Sequence, residues 1–148
     1  MDLPQPDPGI LAAKPRIVAR LRDSLPPESV IDDAAELRAY ECDALTAYTC
    51  PPLAVTLPAS TGEVAAVLRI CHEEGVPVVP RGSGTSLAGG ALPTADSVIL
   101  GVARLNRVLE IDTADRVIRV QAGRTNLSVT EAVEDEGFFY APDPSSRL

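Results

Sequence analysis

The residues best equipped for chemistry lie together in one stretch, Val78-Val79-Pro80-Arg81-Gly82-Ser83-Gly84-Thr85-Ser86-Leu87-Ala88-Gly89-Gly90. Four glycines and three hydroxyl residues follow directly on an apolar run. Glycine admits positive φ and lets a ligand approach the bare main chain closely. Successive N–H groups in such a turn converge into an anion-binding concavity, and Thr85 and Ser86 add hydroxyl donors. The combination suits a diphosphate. A glycine-rich turn with no ligand is the plainer alternative.

Spacing separates this loop from two familiar ones. The triphosphate loop G-x-x-x-x-G-K-[ST] needs a lysine after its glycines. The last lysine of this chain is Lys14, which excludes ATP or GTP hydrolysis by that route. The dinucleotide fingerprint G-x-G-x-x-G requires glycine where Leu87 stands, and no amphipathic helix follows directly, so a Rossmann site is disfavoured. Other reactive residues are isolated. His72 is the single histidine and has no ligand set around it, so it reads as a solvated helix residue. Cys42, Cys50 and Cys71 are widely spaced, which argues against a metal site or a disulfide framework and for reduced thiols in a cytoplasmic protein. Glu73-Glu74 and Glu134-Asp135-Glu136 read as solvated charge late in helices. Tyr40 and Tyr48 read as packing residues, with proximity to a substrate as the alternative, and Arg104 and Arg107 as surface charge.

The elements that must position the loop follow from periodicity. Residues 1–9, rich in Pro and Asp, lack the charged and apolar regions of a secretory signal and are expected to form a mobile arm. Residues 10–52 form an N-terminal helical segment. Within it Pro15 opens a helix along which Val18, Leu21 and Leu25 recur until Pro26-Pro27, and a second, shorter helix covers residues 33–39. From residue 53 the pattern sharpens: a strand over 53–57, then Ser60-x-x-Glu63 as a capping box. A helix with Val64, Val67, Leu68 and Cys71 on its apolar stripe follows, with Gly75 as its C-terminal stop and a strand over 76–80. Strand–helix–strand within about thirty residues indicates a βαβ unit with parallel strands. Beyond the loop come a strand over 97–102 and a hairpin of 108–111 with 117–122 around Thr113-Ala114-Asp115. In its second strand Ile118, Val120 and Ala122 face inward. A helix capped by Asn126 then runs through Glu136 to Gly137.

Composition bounds the rest. At 148 residues, 45% of them hydrophobic, the chain suits one core, and with 3% aromatics that core is aliphatic. A net charge of −8 without clustered Lys or Arg argues against nucleic acid. No run approaches the roughly 18 apolar residues of a membrane span.

Several ordered motifs then converge: Pro80-Arg81-Gly82-Ser83-Gly84-Thr85-Ser86-Leu87-Ala88-Gly89-Gly90-Ala91-Leu92-Pro93, Tyr40-Glu41-Cys42-Asp43-x-Leu45-x-Ala47-Tyr48, Gln121-Ala122-Gly123-x-x-Asn126-Leu127, and Tyr140-Ala141-Pro142-Asp143-Pro144-Ser145-Ser146. Together they resemble FAD-linked oxidases of the vanillyl-alcohol-oxidase (PCMH-type) fold, and within that group the flavoprotein D subunits of bacterial glycolate oxidases. The resemblance runs from about Tyr40 to the last residue. It implies an α+β fold in which residues 53–148 are the first part of an FAD-binding domain, the βαβ unit leading into the glycine loop and further strands of a mixed sheet. It also implies that Pro80, Arg81, Gly82, Ser83, Gly84, Thr85, Ser86 and Gly89 wrap the FAD pyrophosphate. Gly123 would sit at a close approach, and Pro142, Asp143, Ser145 and Ser146 on a second cofactor loop. Thr85 stands where some relatives carry a flavin-linked histidine, so FAD is expected to be non-covalent. The family's chains are much longer and carry their catalytic groups in a cap domain; the sequence accordingly reads as an N-terminal fragment with no catalytic residue of its own. The implied reaction is oxidation of a 2-hydroxy acid such as glycolate, hydride passing to the flavin. A D-lactate or other 2-hydroxy-acid dehydrogenase, or a non-catalytic remnant, are the alternatives. Implied partners are an iron–sulfur subunit and a second flavin-type subunit, through which the protein would be peripheral to the inner membrane.

Overall fold

The computed structural model describes residues 4–142. The chain divides into two units, Met1–Gly101 and Val102–Leu148.

The first unit opens with a short helix, α1 (Pro8–Ala12), capped by the Asp7 carboxylate, which accepts from the N–H groups of Gly9 and Ile10. The N–H of Asp7 donates to the buried Asp96 carboxylate at 2.8 Å. Order therefore begins before residue 10: Pro8 and Gly9, expected in a mobile arm, are helical because Asp7 supplies a cap. Helix α2 (Lys14–Ser24) carries Pro15 in its first turn, where a missing N–H costs nothing, and buries Ile17, Val18 and Leu21. A two-residue strand, β1 (Val30–Ile31), precedes α3 (Ala34–Leu37), which Asp33 caps. Two residues are too few to show a period, so β1 has no signature in the sequence.

Strand β2 (Ala54–Thr56), helix α4 (Thr61–Glu74) and strand β3 (Val78–Arg81) form the expected βαβ unit, but β2 and β3 are not neighbours. Strand β4 (Val98–Gly101) lies between them, parallel to both, in a sheet of order β1-β2-β4-β3 with β1 antiparallel to β2. All residues of β2 and β4 are buried, as two-sided coverage of a parallel sheet demands. Leu37, Val55 and Ile99 form one cluster of the core, with Ile31, Tyr40, Leu57 and Val79 packed around it. Each fully buried aliphatic side chain there stabilises by about 1.5–3 kcal/mol.

Helix α4 begins with a variant of its capping box, in which the carboxylate reaches one residue before the cap. The Ser60 hydroxyl accepts from the Glu63 N–H at 3.2 Å, and the Glu63 carboxylate reaches back to the Ala59 N–H at 2.8 Å. It ends in a Schellman turn, Val76 N–H to Cys71 carbonyl, around left-handed Gly75. Its buried face differs from the expected stripe. Val67, Ile70 and Cys71 are buried, whereas Leu68 is 47% exposed and Val64 only half-buried. The face is turned toward α2 because Glu74 belongs to it. Its side chain, 7% exposed, pairs with Arg16 at 2.6 Å and Arg20 at 2.7 Å, and Arg20 also pairs with Glu73. The Glu74 carboxyl is held below its ordinary value by the Arg20 hydrogen bond first and by Arg16 after it, against the opposing effect of burial. Glu74 is thus an interhelix tie where a solvated charge was expected.

In the second unit β5 (Val108–Asp112) and β6 (Val117–Val120) form an antiparallel hairpin, with a register irregularity between Val108 and Glu110. Ile118 and Val120 are half-buried, while Ala122, expected to face inward with them, is exposed. Helix α5 (Asn126–Glu131) is capped by Thr125, whose hydroxyl accepts from the Ser128 N–H. Asn126 is already helical, and a 3-10 turn over Glu134–Glu136 replaces the last turn expected of the helix. Val129 and Val133 are buried, and with Ile111, Val117, Ile118 and Phe138 they line a cavity of about 310 Å³.

Candidate functional site

Strand β3 ends at Arg81, and the chain then runs from Gly82 to Ser97 without helix or strand before entering β4. The glycine loop is thus suspended between the ends of two adjacent parallel strands, where main-chain groups no longer have ladder partners. Gly82 and Thr85 are exposed and Gly84 half-buried. Among the described residues the N–H groups of Gly82, Gly84 and Thr85 donate to no carbonyl. Gly84 and Gly89 adopt left-handed backbone, with φ of 72° and 74°. Gly82 has neither reason to be glycine: its φ lies outside the left-handed region, and a Cβ there would meet nothing within 4 Å.

The loop is held from within by its own first residue. The Arg81 guanidinium donates through Nη1 to the Cys42 carbonyl at 2.7 Å and to the Ala91 carbonyl at 3.3 Å. Its Cζ lies 5.8 Å from the centre of the Tyr40 ring. Gly84 passes directly over it: a Cβ on Gly84 would stand 2.3 Å from Nη2 and 2.6 Å from Cζ. At the far end Leu92 N–H bonds to the Gly89 carbonyl, and Ser86 accepts from the Ala88 N–H. The Tyr40 to Asp43 segment, matched in the sequence without an assigned role, is therefore the loop's anchor. Asp43 beside it is 4% exposed; one carboxylate oxygen accepts from the Leu45 N–H at 2.9 Å, and the other has no partner among the described residues. Periodicity carries no trace of such pairings, which join residues about forty positions apart.

Pro80 and Arg81, at the end of β3, and Gly82, Ser83, Gly84, Thr85, Ser86 and Gly89, in the loop that follows, thus lie together in the first unit. Gly123 lies in the second unit, just after β6. Its close approach is to the chain itself, since a Cβ there would sit 1.9 Å from the Val102 carbonyl oxygen and 3.0 Å from that of Leu105. Pro142 is exposed in the second unit; Asp143, Ser145 and Ser146 lie outside the described residues. His72 is exposed, and burial pushes the Cys71 thiol up to about 11, leaving it protonated and unreactive. Among the described residues no group of three His, Cys, Asp or Glu could hold a metal ion, and no helix is long and apolar enough to cross a membrane.

Comparison with known proteins places this geometry. Residues 52–147 match the family model described as FAD binding domain. The chain is 43% identical over 132 residues to glycolate oxidase subunit GlcD of Escherichia coli (strain K12), covering 89% of this chain and 26% of that one. It is 36% identical over 133 residues to D-2-hydroxyglutarate dehydrogenase of Xanthomonas citri pv. viticola, covering 90% and 28%. Among solved structures, 4-ethylphenol oxidase from Gulosibacter chungangensis superposes with a TM-score of 0.79 at 28% identity, over 90% of this chain and 27% of that one. p-Cresol methylhydroxylase, at 20% identity and a TM-score of 0.75, shares the fold. The chain spans about a quarter of the length of the curated relatives it matches. The family match and the superpositions agree: this chain belongs to the FAD-binding domain family of the PCMH-type fold, and its cofactor is FAD.

Proposed function

We propose that this chain supplies the pyrophosphate-binding part of an FAD-dependent 2-hydroxy-acid oxidoreductase of the glycolate oxidase type. The observation that carries the loop assignment is Gly82. Its side-chain space is open, its backbone conformation needs no glycine, and it sits beside N–H groups that donate to no carbonyl. A phosphate oxygen fits the space that a Cβ would fill. In this reading the amides of residues 82–86 hold the diphosphate, and the hydroxyls of Thr85 and Ser86 add donors. Pro80 and Gly89 shape the loop's two ends, and Gly123, Pro142, Asp143, Ser145 and Ser146 complete the contact set by their place in the family's motifs. When bound, FAD supplies the hydride-accepting chemistry, and the protein's part is to bind and orient it. Thr85 offers no imidazole for a covalent link, so in this reading the flavin is bound non-covalently.

Glycolate oxidase type is favoured over a D-2-hydroxyglutarate or D-lactate dehydrogenase by the higher identity to the glycolate oxidase subunit, 43% against 36% and 28%. The same proposal includes assembly with further subunits, an iron–sulfur protein and a second flavin-type subunit among them. It also places the protein in the cytoplasm, peripheral to the inner membrane through those partners. The test is a fluorescence titration of the 148-residue chain with FAD, with ADP as competitor, on wild type and Gly82→Ala. Saturable binding that ADP displaces is expected, weakened about tenfold or more in Gly82→Ala by loss of a charge-assisted hydrogen bond. Acid precipitation should then release all the flavin into the supernatant. A wild-type chain that binds no FAD is a remnant; one whose Gly82→Ala variant binds equally well holds FAD elsewhere.

A further inference from the structure

We infer that the Arg81 side chain is a positioning residue, which couples the Tyr40–Cys42 segment to the diphosphate loop so that each is ordered when the other is. The inference rests on the flavin reading of the loop and goes beyond it, since that reading uses only main-chain groups and loop hydroxyls. Three sets of contacts carry it. Arg81 Nη1 bridges the Cys42 and Ala91 carbonyls at 2.7 and 3.3 Å, tying the loop's exit to an upstream segment. The guanidinium carbon lies over the Tyr40 ring, 5.8 Å from its centre, within cation–π range. Nη2, Cζ and Nε all fall within 3.0 Å of where a Gly84 Cβ would be, so the turn at Gly84 rests on the guanidinium. The side chain is engaged on these three sides and acts through the loop that it braces. A loop held in its bound form before the ligand arrives loses less entropy on binding. By linkage, the ligand must then stabilise the brace by the same factor that the brace strengthens the ligand. Lysine is no substitute: it keeps the charge, but one ammonium lacks the planar fork that serves two carbonyls while facing a ring and a tight turn.

The test combines affinity with hydrogen exchange on wild type, Arg81→Lys, Arg81→Met and Tyr40→Leu, all shown to be folded by circular dichroism. In wild type, FAD should slow exchange at the amides of residues 82–86 and also at residues 41–45, which the flavin reading alone does not touch. Arg81→Met and Arg81→Lys should each weaken FAD and ADP binding about tenfold, and at saturating FAD should keep protection in the loop but lose it at 41–45. Tyr40→Leu, which spares the two carbonyl bonds, should show the same pattern at smaller amplitude. Wild-type affinity in Arg81→Met overturns the inference. So does wild-type affinity in Arg81→Lys, which would assign the effect to charge instead of bracing, and so does ligand protection at 41–45 that survives without the guanidinium. Failure of the wild-type chain to bind FAD at all is a different result and overturns the flavin reading on which this one rests.

Discussion

Alanine substitution at three loop glycines should give a graded series of stabilities that follows from local geometry. At Gly82 the backbone is outside the left-handed region and a Cβ meets nothing within 4 Å, so Gly82→Ala should change folding stability by no more than about 0.5 kcal/mol. At Gly89 φ is 74° and the space is also open, so alanine incurs only the left-handed penalty of about 1–2 kcal/mol. At Gly84 φ is 72° and a Cβ stands 2.3 Å from Arg81 Nη2 and 2.6 Å from Cζ. Ordinary contact needs about a further 1 Å, and the guanidinium can give way only by leaving the Cys42 and Ala91 carbonyls. Each of those part-buried bonds contributes about 1 kcal/mol net, which brings the expected cost of Gly84→Ala to about 3–4 kcal/mol. Urea unfolding followed by circular dichroism measures all three. The same experiment in an Arg81→Met background isolates the cause, because the vacated space accepts the new methyl. The excess of Gly84→Ala over Gly89→Ala should then disappear, a coupling of about 2 kcal/mol. Equal costs at Gly84 and Gly89, or an excess that persists without the arginine, would refute the brace as the origin of the turn.

Gly123→Ala places a methyl 1.9 Å from the Val102 carbonyl oxygen, against rigid backbone; it should destabilise by about 3 kcal/mol or more whether or not flavin is present, read as a lowered Tm. Arg116 holds a φ of 56° in the β5–β6 turn; Arg116→Asn should stabilise by about 1 kcal/mol, and a lower urea midpoint would contradict the strain argument. Burial alone would raise the Asp96 carboxyl, but the N–H of Asp7, the Thr94 hydroxyl and its own N–H outweigh it and hold the group below its ordinary 3.8. A depressed folded value contributes stability that is present above 3.8 and lost as pH falls through the folded value, so the difference between wild type and Asp96→Asn should shrink on acidification; a pH-independent difference would contradict this.

Local signals were legible where a single stretch of chain determines its own structure. The Ser60–Glu63 capping box, the Gly75 stop and the order of strands around α4 needed only neighbours in sequence. Features decided by distant partners were not legible. Leu68 fits a helical stripe as well as Ile70 does, and only the arginines of α2 show that the buried face turns toward Glu74. Asn126 and Thr125 are both good caps, and the hydroxyl that meets the Ser128 N–H decides between them. The two residues of β1 carry no period, and the slot that β4 fills between β2 and β3 has no mark in either strand.

The glycine loop was legible as a loop, yet its composition could not say what each glycine is for. The structure separates them by cause. Gly89 answers to its own backbone angle, and Gly84 to that angle and to the arginine beneath it. Gly123 answers to the carbonyls of Val102 and Leu105. A fold that needed nothing else would tolerate any small residue at position 82, because no atom within 4 Å forbids a side chain there. Glycine at that position is therefore left to be explained from outside the fold. Beside it are the N–H groups of Gly84 and Thr85, which donate to no carbonyl among the described residues. Donors kept from internal partners and a space kept free of carbon are together what an incoming phosphate requires. Gly90, whose backbone is also outside the left-handed region and whose Cβ would meet only the Ser86 hydroxyl at 3.6 Å, shares that freedom. Gly82, however, lies at the start of the donors that meet no carbonyl, which is why affinity and stability must part company at Gly82 and move together at Gly84.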